Sequence, residues 1–150
     1  MNNIKSELYG LCIAYVKQRI DTAKEAINDA QQAAGEETKS SAGDKYETSR
    51  EMIQQETDRN QAQLNEANKL LVALNQINVS AICEIALPGS LITTNNGKFY
   101  IAISAGALLL NGESYFAVSP ASPIGLSLRG QKKGNQFSLN GKQYIIENII

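Results

Sequence analysis

The sequence of 150 residues contains no histidine. That absence removes Ser-His-Asp and Cys-His catalysis, histidine metal sites and the usual neutral-pH proton shuttle together. The two cysteines, Cys12 and Cys83, are too few for a disulfide scaffold or an all-cysteine zinc site. They are expected as reduced, buried thiols acting as small apolar residues. No apolar run approaches the roughly 20 residues that a membrane helix requires. The opening "MNNIKSELYG" lacks a basic segment followed by a long apolar stretch, so it does not read as a secretory signal. The expectation is a soluble cytoplasmic protein with no membrane partner. Charge of one sign is also missing: 14 basic and 15 acidic residues leave a net charge of −1, with no global drive toward nucleic acid.

The sequence has three prolines, none of them before residue 78, and most of its glycines also lie beyond that point. The length fits one ordinary domain or two small ones, and the composition shift favours a boundary near "NQINVSAICEI". Before the boundary, apolar residues step by fours and threes through Tyr9, Ile13, Val16, Ile20, Ala23, Ile27, Ala30 and Ala34. A second series runs Ile53, Thr57, Asn60, Leu64, Ala67, Leu71 and Leu74. Two heptad seams joined by a polar, glycine-bearing segment predict an antiparallel helical hairpin over 1–78, a coiled coil with its tip near 35–47. About 31 residues from Asn3 to Ala33 would make an arm of roughly 45 Å. The large seam residues lie toward the open end, and alanines and polar residues lie nearer the turn. The distal part should therefore be slim and only marginally stable. Such a hairpin cannot bury its outer faces within so small a chain, so it projects or packs against a partner.

Residues 79–150 read as strands. Asn95-Asn96-Gly97, Asn111-Gly112 and Asn140-Gly141 each separate two apolar-rich runs, the signal of a β-hairpin. Leu108, Leu109 and Leu110 suggest a buried strand. In "SPASPIGLSLRG", Ser122 is placed to cap a short helix, Pro123 to occupy its first position and Gly130 to end it. The expected class is α+β: a helical hairpin followed by a small antiparallel sheet with one short helix.

In this order and these lengths the chain resembles the Gre transcript-cleavage factors. The resemblance is most specific in "SPIGLSLRGQKKGNQF", against a family pattern of Ser-Pro, a large aliphatic residue, Gly, then Leu-x-Gly-Lys/Gln-x-x-Gly-Asp. Ser122, Pro123, Ile124, Gly125, Leu128, Gly130 and Gly134 keep that pattern, and Asn135 replaces its acid. Pro88 to Ile92 resemble the strand that opens the family's C-terminal domain. The resemblance implies an FKBP-like C-terminal domain without implied isomerase activity. It also implies RNA polymerase as partner, docked at the rim of its secondary channel. Ser122, Pro123, Ile124 and Gly125 are then the docking candidates. The hairpin tip would point to the polymerase active site and meet the RNA 3′ end only within that complex. Tip carboxylates in the family help to hold a second metal ion there. Oxygen ligands suit hard Mg²⁺, so such a factor needs no small-molecule cofactor of its own and at most Mg²⁺ shared with the polymerase.

The tip matches in part. The family's motif reads roughly Gly-Asp-Leu-x-Glu-Asn-Ala-Glu-Tyr. Aligning on Tyr46 puts Lys39 and Ala42 where the two acids belong. Aligning on Gly43-Asp44 puts Glu47 three residues on and keeps the acid spacing, which makes Asp44 and Glu47 the preferred pair. Lys45 replaces the motif's leucine, and Thr48 to Arg50 replace Asn-Ala-Glu. Three readings of Asp44 and Glu47 stand: capping of the second helix, metal ligation, and polymerase contact without metal. Glu36 and Glu37 are weaker candidates, read first as solvated. Lys39, Lys45 and Arg50 are candidate phosphate or polymerase contacts or solvated ion pairs. Tyr46 either packs across the narrow end or stacks on a base. Lys132 and Lys133 read as a solvent-facing basic step.

Three functions follow. The first is a Gre-type elongation factor acting through RNA polymerase, either stimulating cleavage of backtracked RNA or binding the channel without stimulation. The second is a generic coiled-coil interaction module. The third, a free-standing enzyme such as a condensing enzyme, needs histidines and a length that are absent.

Overall fold

The structure, a computed structural model of the chain, describes the backbone of residues 4–39 and 44–150 and the side chains of residues 4–35 and 48–150. The element order is α1 (Ile4–Lys39), α2 (Asp44–Asn75), β1 (Leu91–Thr94), β2 (Gly97–Ile101), β3 (Gly106–Leu110), β4 (Glu113–Val118), α3 (Pro123–Leu128), β5 (Gln136–Leu139) and β6 (Lys142–Ile149). The class is α+β, a long helical hairpin followed by a six-stranded sheet with one short helix. Helix α1 has 36 residues and α2 has 32, so much of the polar segment continues the helices.

The chain divides into two compact units. Residues 4–15 belong with Val72–Ile150, and Val16–Leu71 form the other. The contact division thus falls inside both helices, whereas the composition shift lies near residue 78.

In Val16–Leu71 the heptad seams are the sheltered stripes. Val16, Ala23, Ala30 and Ala67 are buried, and Ile20, Ile27, Ile53, Thr57, Asn60, Leu64 and Leu71 are half-buried. The outer positions are polar and pair along their own helix, as in Gln18 to Thr22 at 3.3 Å, Gln54 to Asp58 at 2.9 Å and Gln61 to Asn65 at 3.1 Å. Such four-residue pairs support an exposed helix face by a few tenths of a kcal/mol each.

The other unit buries larger side chains. Leu8 and Cys12 on α1 and Leu74 on α2 are fully buried. Tyr9 Oη donates to the Leu74 carbonyl at 3.0 Å, tying the basal turns of the two helices. Both cysteines are free and buried, as expected. Burial pushes the Cys12 thiol up to about 11, so it stays protonated and behaves as an apolar side chain.

The sheet order is β3-β4-β2-β1-β6-β5. Every neighbouring pair is antiparallel except β2 with β4, which is parallel. The reason is topological. β3 and β4 form their own hairpin, and it returns so that β4, rather than β3, lies against β2. At Asn111-Gly112 and Asn140-Gly141 both residues have positive φ, 53° and 80° in each pair. That is the two-residue turn whose twist suits a β-hairpin. At the β1–β2 turn only Gly97 has positive φ, at 129°. There Asn95 Oδ1 instead accepts from Ile145 N at 2.7 Å, beside the register shift at Thr93/Thr94 in the β1–β6 pairing.

One core cluster, Ala86, Ile92, Phe99, Ile101, Leu128, Tyr144 and Ile146, joins the sheet to α3. Burying each large apolar side chain stabilises the fold by about 1.5–3 kcal/mol. The Phe137 and Tyr144 rings stack at 4.9 Å, and Tyr144 meets Phe99 edge-on at 6.1 Å. The leucine run in β3 is not buried throughout. Leu108 is buried, Leu110 half-buried and Leu109 71% exposed. β3 is an edge strand with alternating faces, so the middle leucine cannot share the burial of Leu108.

Candidate functional site

The described residues that best combine motif and geometry lie around α3. Ser122 adopts extended backbone, and its Oγ accepts from Gly125 N at 3.1 Å while donating to the Ser119 carbonyl at 2.7 Å. The hydroxyl therefore satisfies a free helix N–H and closes the preceding turn. Pro123 takes the first helical position, where no N–H is needed. Ile124 packs against the core cluster. Gly125 is buried, and a Cβ there would collide with the Ser119 carbonyl oxygen. Beyond α3, Gly130 takes positive φ, 77°, and its N–H donates to the Ala86 carbonyl at 3.0 Å. Ala86 N in turn donates to the Gln131 carbonyl at 2.9 Å, so the 86–88 segment is held beside the end of the helix. Asn135, where the family pattern has an acid, donates from Nδ2 to Gln131 Oε1 at 2.8 Å, and its carbonyl accepts from Ile146 N at 2.9 Å.

The four docking candidates are brought together, but three of them face inward or toward the backbone. Ser122 caps, Ile124 packs and Gly125 makes room; Pro123 is the exposed member. The outward surface is made by residues that the motif did not single out. Leu126 is 58% exposed and Leu87 43% exposed, with Pro88 and Arg129 also exposed. A cavity of about 220 Å³ lies between the two segments, lined by Leu87, Pro88, Ile101, Pro120, Gly125 and Arg129, with Ala86 at its base. The available signal was helical spacing. Leu128 lies one turn from Ile124 on the inward side, which leaves Leu126 to face out.

Among the tip candidates, Arg50 is exposed on α2. Glu36, Glu37 and Lys39 fall in the last turns of α1, and Asp44, Lys45, Tyr46 and Glu47 in the first turn of α2. The side chains of these seven, and all of Gly43, lie outside the described residues. Among the described residues, no group of three or more acidic or cysteine side chains is placed to hold a metal ion. Lys132 and Lys133 are both exposed. No helix among the described residues is long and apolar enough to cross a membrane.

A second polar cluster lies on the sheet. Lys98 Nζ contacts Glu113 at 2.6 Å, and Tyr115 Oη donates to the same carboxylate at 2.9 Å. The bond from Lys98, then that from Tyr115, holds the Glu113 carboxyl below its usual range. Lys98 also lies 5.3 Å from the Tyr115 ring centre. All three groups satisfy one another, so the cluster reads as a brace between β2 and β4 with Tyr115 buried.

No protein-family model matches the chain, and no curated protein matches it. Among solved structures, it is similar to that of the transcription factor Gfh1, at 18% identity and a TM-score of 0.34, over 89% of this chain and 90% of that one.

Proposed function

We propose that the chain is a Gre-type factor that acts through RNA polymerase. The C-terminal domain would dock at the rim of the secondary channel, and the hairpin tip would be directed to the active site. The observation that carries this reading is the run from Ser122 to Asn135. It keeps the family pattern at seven positions, and it follows a two-helix hairpin in the family's order. Cap, close-packed glycine and helix stop act together to build a shaped surface rather than a single turn. Leu87, Pro123, Leu126 and Arg129 are the residues of that surface available to a partner.

Within this reading, the chain promotes cleavage of backtracked RNA through Asp44 and Glu47. Their carboxylate oxygens are a donor set suited to a Mg²⁺ ion shared with the polymerase, whose chemistry is to activate water and stabilise charge on the phosphate. The chain itself is then not an enzyme: its carboxylates orient the hydrolytic site that the polymerase already has. A second reading is favoured by the altered flanks. Lys45 and Arg50 replace motif residues, and Lys39 adds a further positive charge. A tip of mixed sign suits channel binding without stimulation of cleavage.

The test is RNA 3′-end cleavage in backtracked elongation complexes of the source organism, with and without the chain and an established Gre factor. Faster cleavage by the chain alone, lost in Asp44→Ala and Glu47→Ala, is the expected result. Suppression of the established factor without stimulation would select the second reading. A Leu126→Glu variant that folds normally should lose either effect through lost docking. No effect of the wild-type chain in either arm would overturn the polymerase reading and leave a hairpin module with another partner.

A further inference from the structure

The two edges of the sheet are finished differently. At one edge, the exposed β5 side chains are polar and tied down: Ser138 Oγ donates to Gln143 Oε1 at 2.7 Å, and Gln143 Nε2 to Gln136 Oε1 at 3.2 Å. At the other, β3 reads Gly106-Ala107-Leu108-Leu109-Leu110 and has neither proline nor a charged side chain, the features that ordinarily blunt an edge. The nearest charge along the β3–β4 hairpin, Glu113 opposite Leu110, is paired with Lys98 at 2.6 Å. The turn of that hairpin is the residue pair Asn111-Gly112, so its closing pair, Leu110 with Glu113, is hydrogen-bonded. Alternation along the ladder then turns the N–H and C=O of Ala107 and Leu109 away from β4. No described backbone group outside the hairpin bonds to them. The same two residues carry exposed apolar side chains: Leu109 is 71% exposed, and Ala107 is exposed opposite Phe116, itself 41% exposed.

We propose that β3 pairs antiparallel with β3 of a second copy of this chain, about a twofold axis at Leu108. In that register the strand is complementary to itself. Leu109 faces Ala107 of the second copy, Leu110 faces Gly106 and Leu108 faces Leu108, so the outer pairs set a large residue against a small one. The Ala107–Leu109 pairs are also those whose backbone groups point outward in both copies, and each pair exchanges both N–H···O bonds. A shift by one residue would set outward groups against inward ones. A shift that put Leu109 against Leu109 would carry Ala107 past the end of the strand. On the face that carries Phe116, the incoming Leu109 lies in one row with Ala107 and Phe116 and covers their exposed apolar surface. A net charge of −1 sets up little repulsion between copies. A strand of another protein would have to supply this order of large and small residues in reverse, which the chain supplies itself. The pairing uses no residue assigned to the polymerase surface and stands independently of that reading.

The experiment is sedimentation equilibrium of the full chain over about a hundredfold range of concentration, with amide hydrogen exchange at both ends of the range. A reversible monomer–dimer equilibrium is expected, in which the Ala107 and Leu109 amides exchange at least tenfold more slowly in the dimer. Leu109→Lys, at an exposed position, is expected to weaken dimerisation at least tenfold. Ala107→Glu combined with Leu109→Lys is expected to recover it, because the register sets the new carboxylate of each copy against the new ammonium of the other. A chain that stays monomeric throughout overturns the proposal and leaves the edge to a strand of another protein. Open-ended association overturns it in favour of β3 meeting β5 of the next copy. A dimer whose Ala107 and Leu109 amides exchange as in the monomer overturns it by showing that the copies meet elsewhere. It is equally overturned if folded Leu109→Lys dimerises as wild type does, or if the double variant dimerises no better than Leu109→Lys alone.

Discussion

The hairpin unit Val16–Leu71 and the unit that holds the sheet solve burial in opposite ways. The first shelters its seam with Ala23, Ala30 and Ala67 and accepts Thr57 and Asn60 within it. The second buries Tyr100, Ile92, Ile101, Ile103, Leu128 and Ile146 almost completely. Alanine removes little apolar area from water, so each turn of the hairpin gains little, and its continuity rests on helix propensity and polar pairs along the outer faces. The sheet unit gains from packing at every layer. One similarity sharpens the contrast. Each unit contains a buried side-chain atom with no hydrogen-bond partner among the described residues, Asn60 Nδ2 in the seam and Tyr100 Oη against the sheet. Burial, then the neighbouring Cys12 and Tyr9, raises the Tyr100 hydroxyl above its ordinary value, so it remains neutral.

The comparison breaks most readily in the sheet core. Ile146→Ala removes a fully packed side chain and is expected to cost about 2–5 kcal/mol, measured by urea unfolding. Ala67→Gly in the hairpin should cost only about 1 kcal/mol, mainly helix propensity; equal losses would show that the two regions are not packed differently. Next comes Gly125→Ala. The added methyl meets the Ser119 carbonyl, and overpacking of this kind costs about 1–3 kcal/mol. Ser122→Ala, which loses the cap alone, is expected near 1 kcal/mol. A smaller Gly125 loss than Ser122 loss would mean that the 119–125 turn yields easily.

The third prediction has the opposite sign. Tyr100→Phe and Asn60→Leu each remove an unpartnered polar atom and should stabilise by up to about 1 kcal/mol or leave stability unchanged. Hydrogen exchange should place the Asn60→Leu gain in the hairpin helices and the Tyr100→Phe gain in the sheet. A loss in either variant would reveal a partner for that atom in solution. For Asn60→Leu, added self-association is also expected, because a polar seam residue restricts which helices can pair.

The smallest effect concerns Lys98 and Glu113, whose side chains are 34% and 56% exposed. Because the folded state lowers the Glu113 carboxyl, its contribution is present above the ordinary value of 4.5 and is lost as pH falls through the depressed one. The hydrogen bond to Glu113 raises Lys98, so that contribution is present below the ordinary 10.5 and is lost as pH rises through the raised value. Solvent and salt screen a pair this exposed. Stability of wild type and Glu113→Gln, compared by urea unfolding at pH 7 and pH 3, should therefore differ slightly at the first and by less at the second. A gap that does not narrow between the two would show that the glutamate acts through packing.

Much of the fold was legible because local rules and tertiary burial agree. The two seams were read from spacing alone, and within Val16–Leu71 their residues are the sheltered ones, whereas at the base of α1 Leu8 and Cys12 are buried more deeply than Tyr9 and Ile13. Asn111-Gly112 and Asn140-Gly141 announce turns because both positions demand positive φ. Ser122-Pro123 announces a helix start by satisfying, or dispensing with, a free N–H. The site was less legible. The motif identified Ser122, Ile124 and Gly125, yet these build the surface from beneath, and Leu87 and Leu126 form its exterior. A pattern of caps and close contacts reports a shape, and it is silent on which side chains face outward. The Leu108–Leu110 run was misread for a related reason. Three leucines in sequence cannot show that their strand would lie at an edge.

By itself, the sequence determined the elements whose causes act within a few residues: helix periodicity, turn chemistry, the cap, and the absence of imidazole chemistry. It also contained the pattern that the Gre reading rests on. Tertiary structure alone decided the parallel β2–β4 pairing, the exposure of Leu109 and Leu126, the burial of Lys5, and the joining of residues 4–15 to the sheet unit. The physical reason is range. Turns and caps are set by nearest-neighbour sterics and single hydrogen bonds, whereas strand neighbours and buried charges depend on contacts between residues far apart in the chain, and no local pattern encodes them.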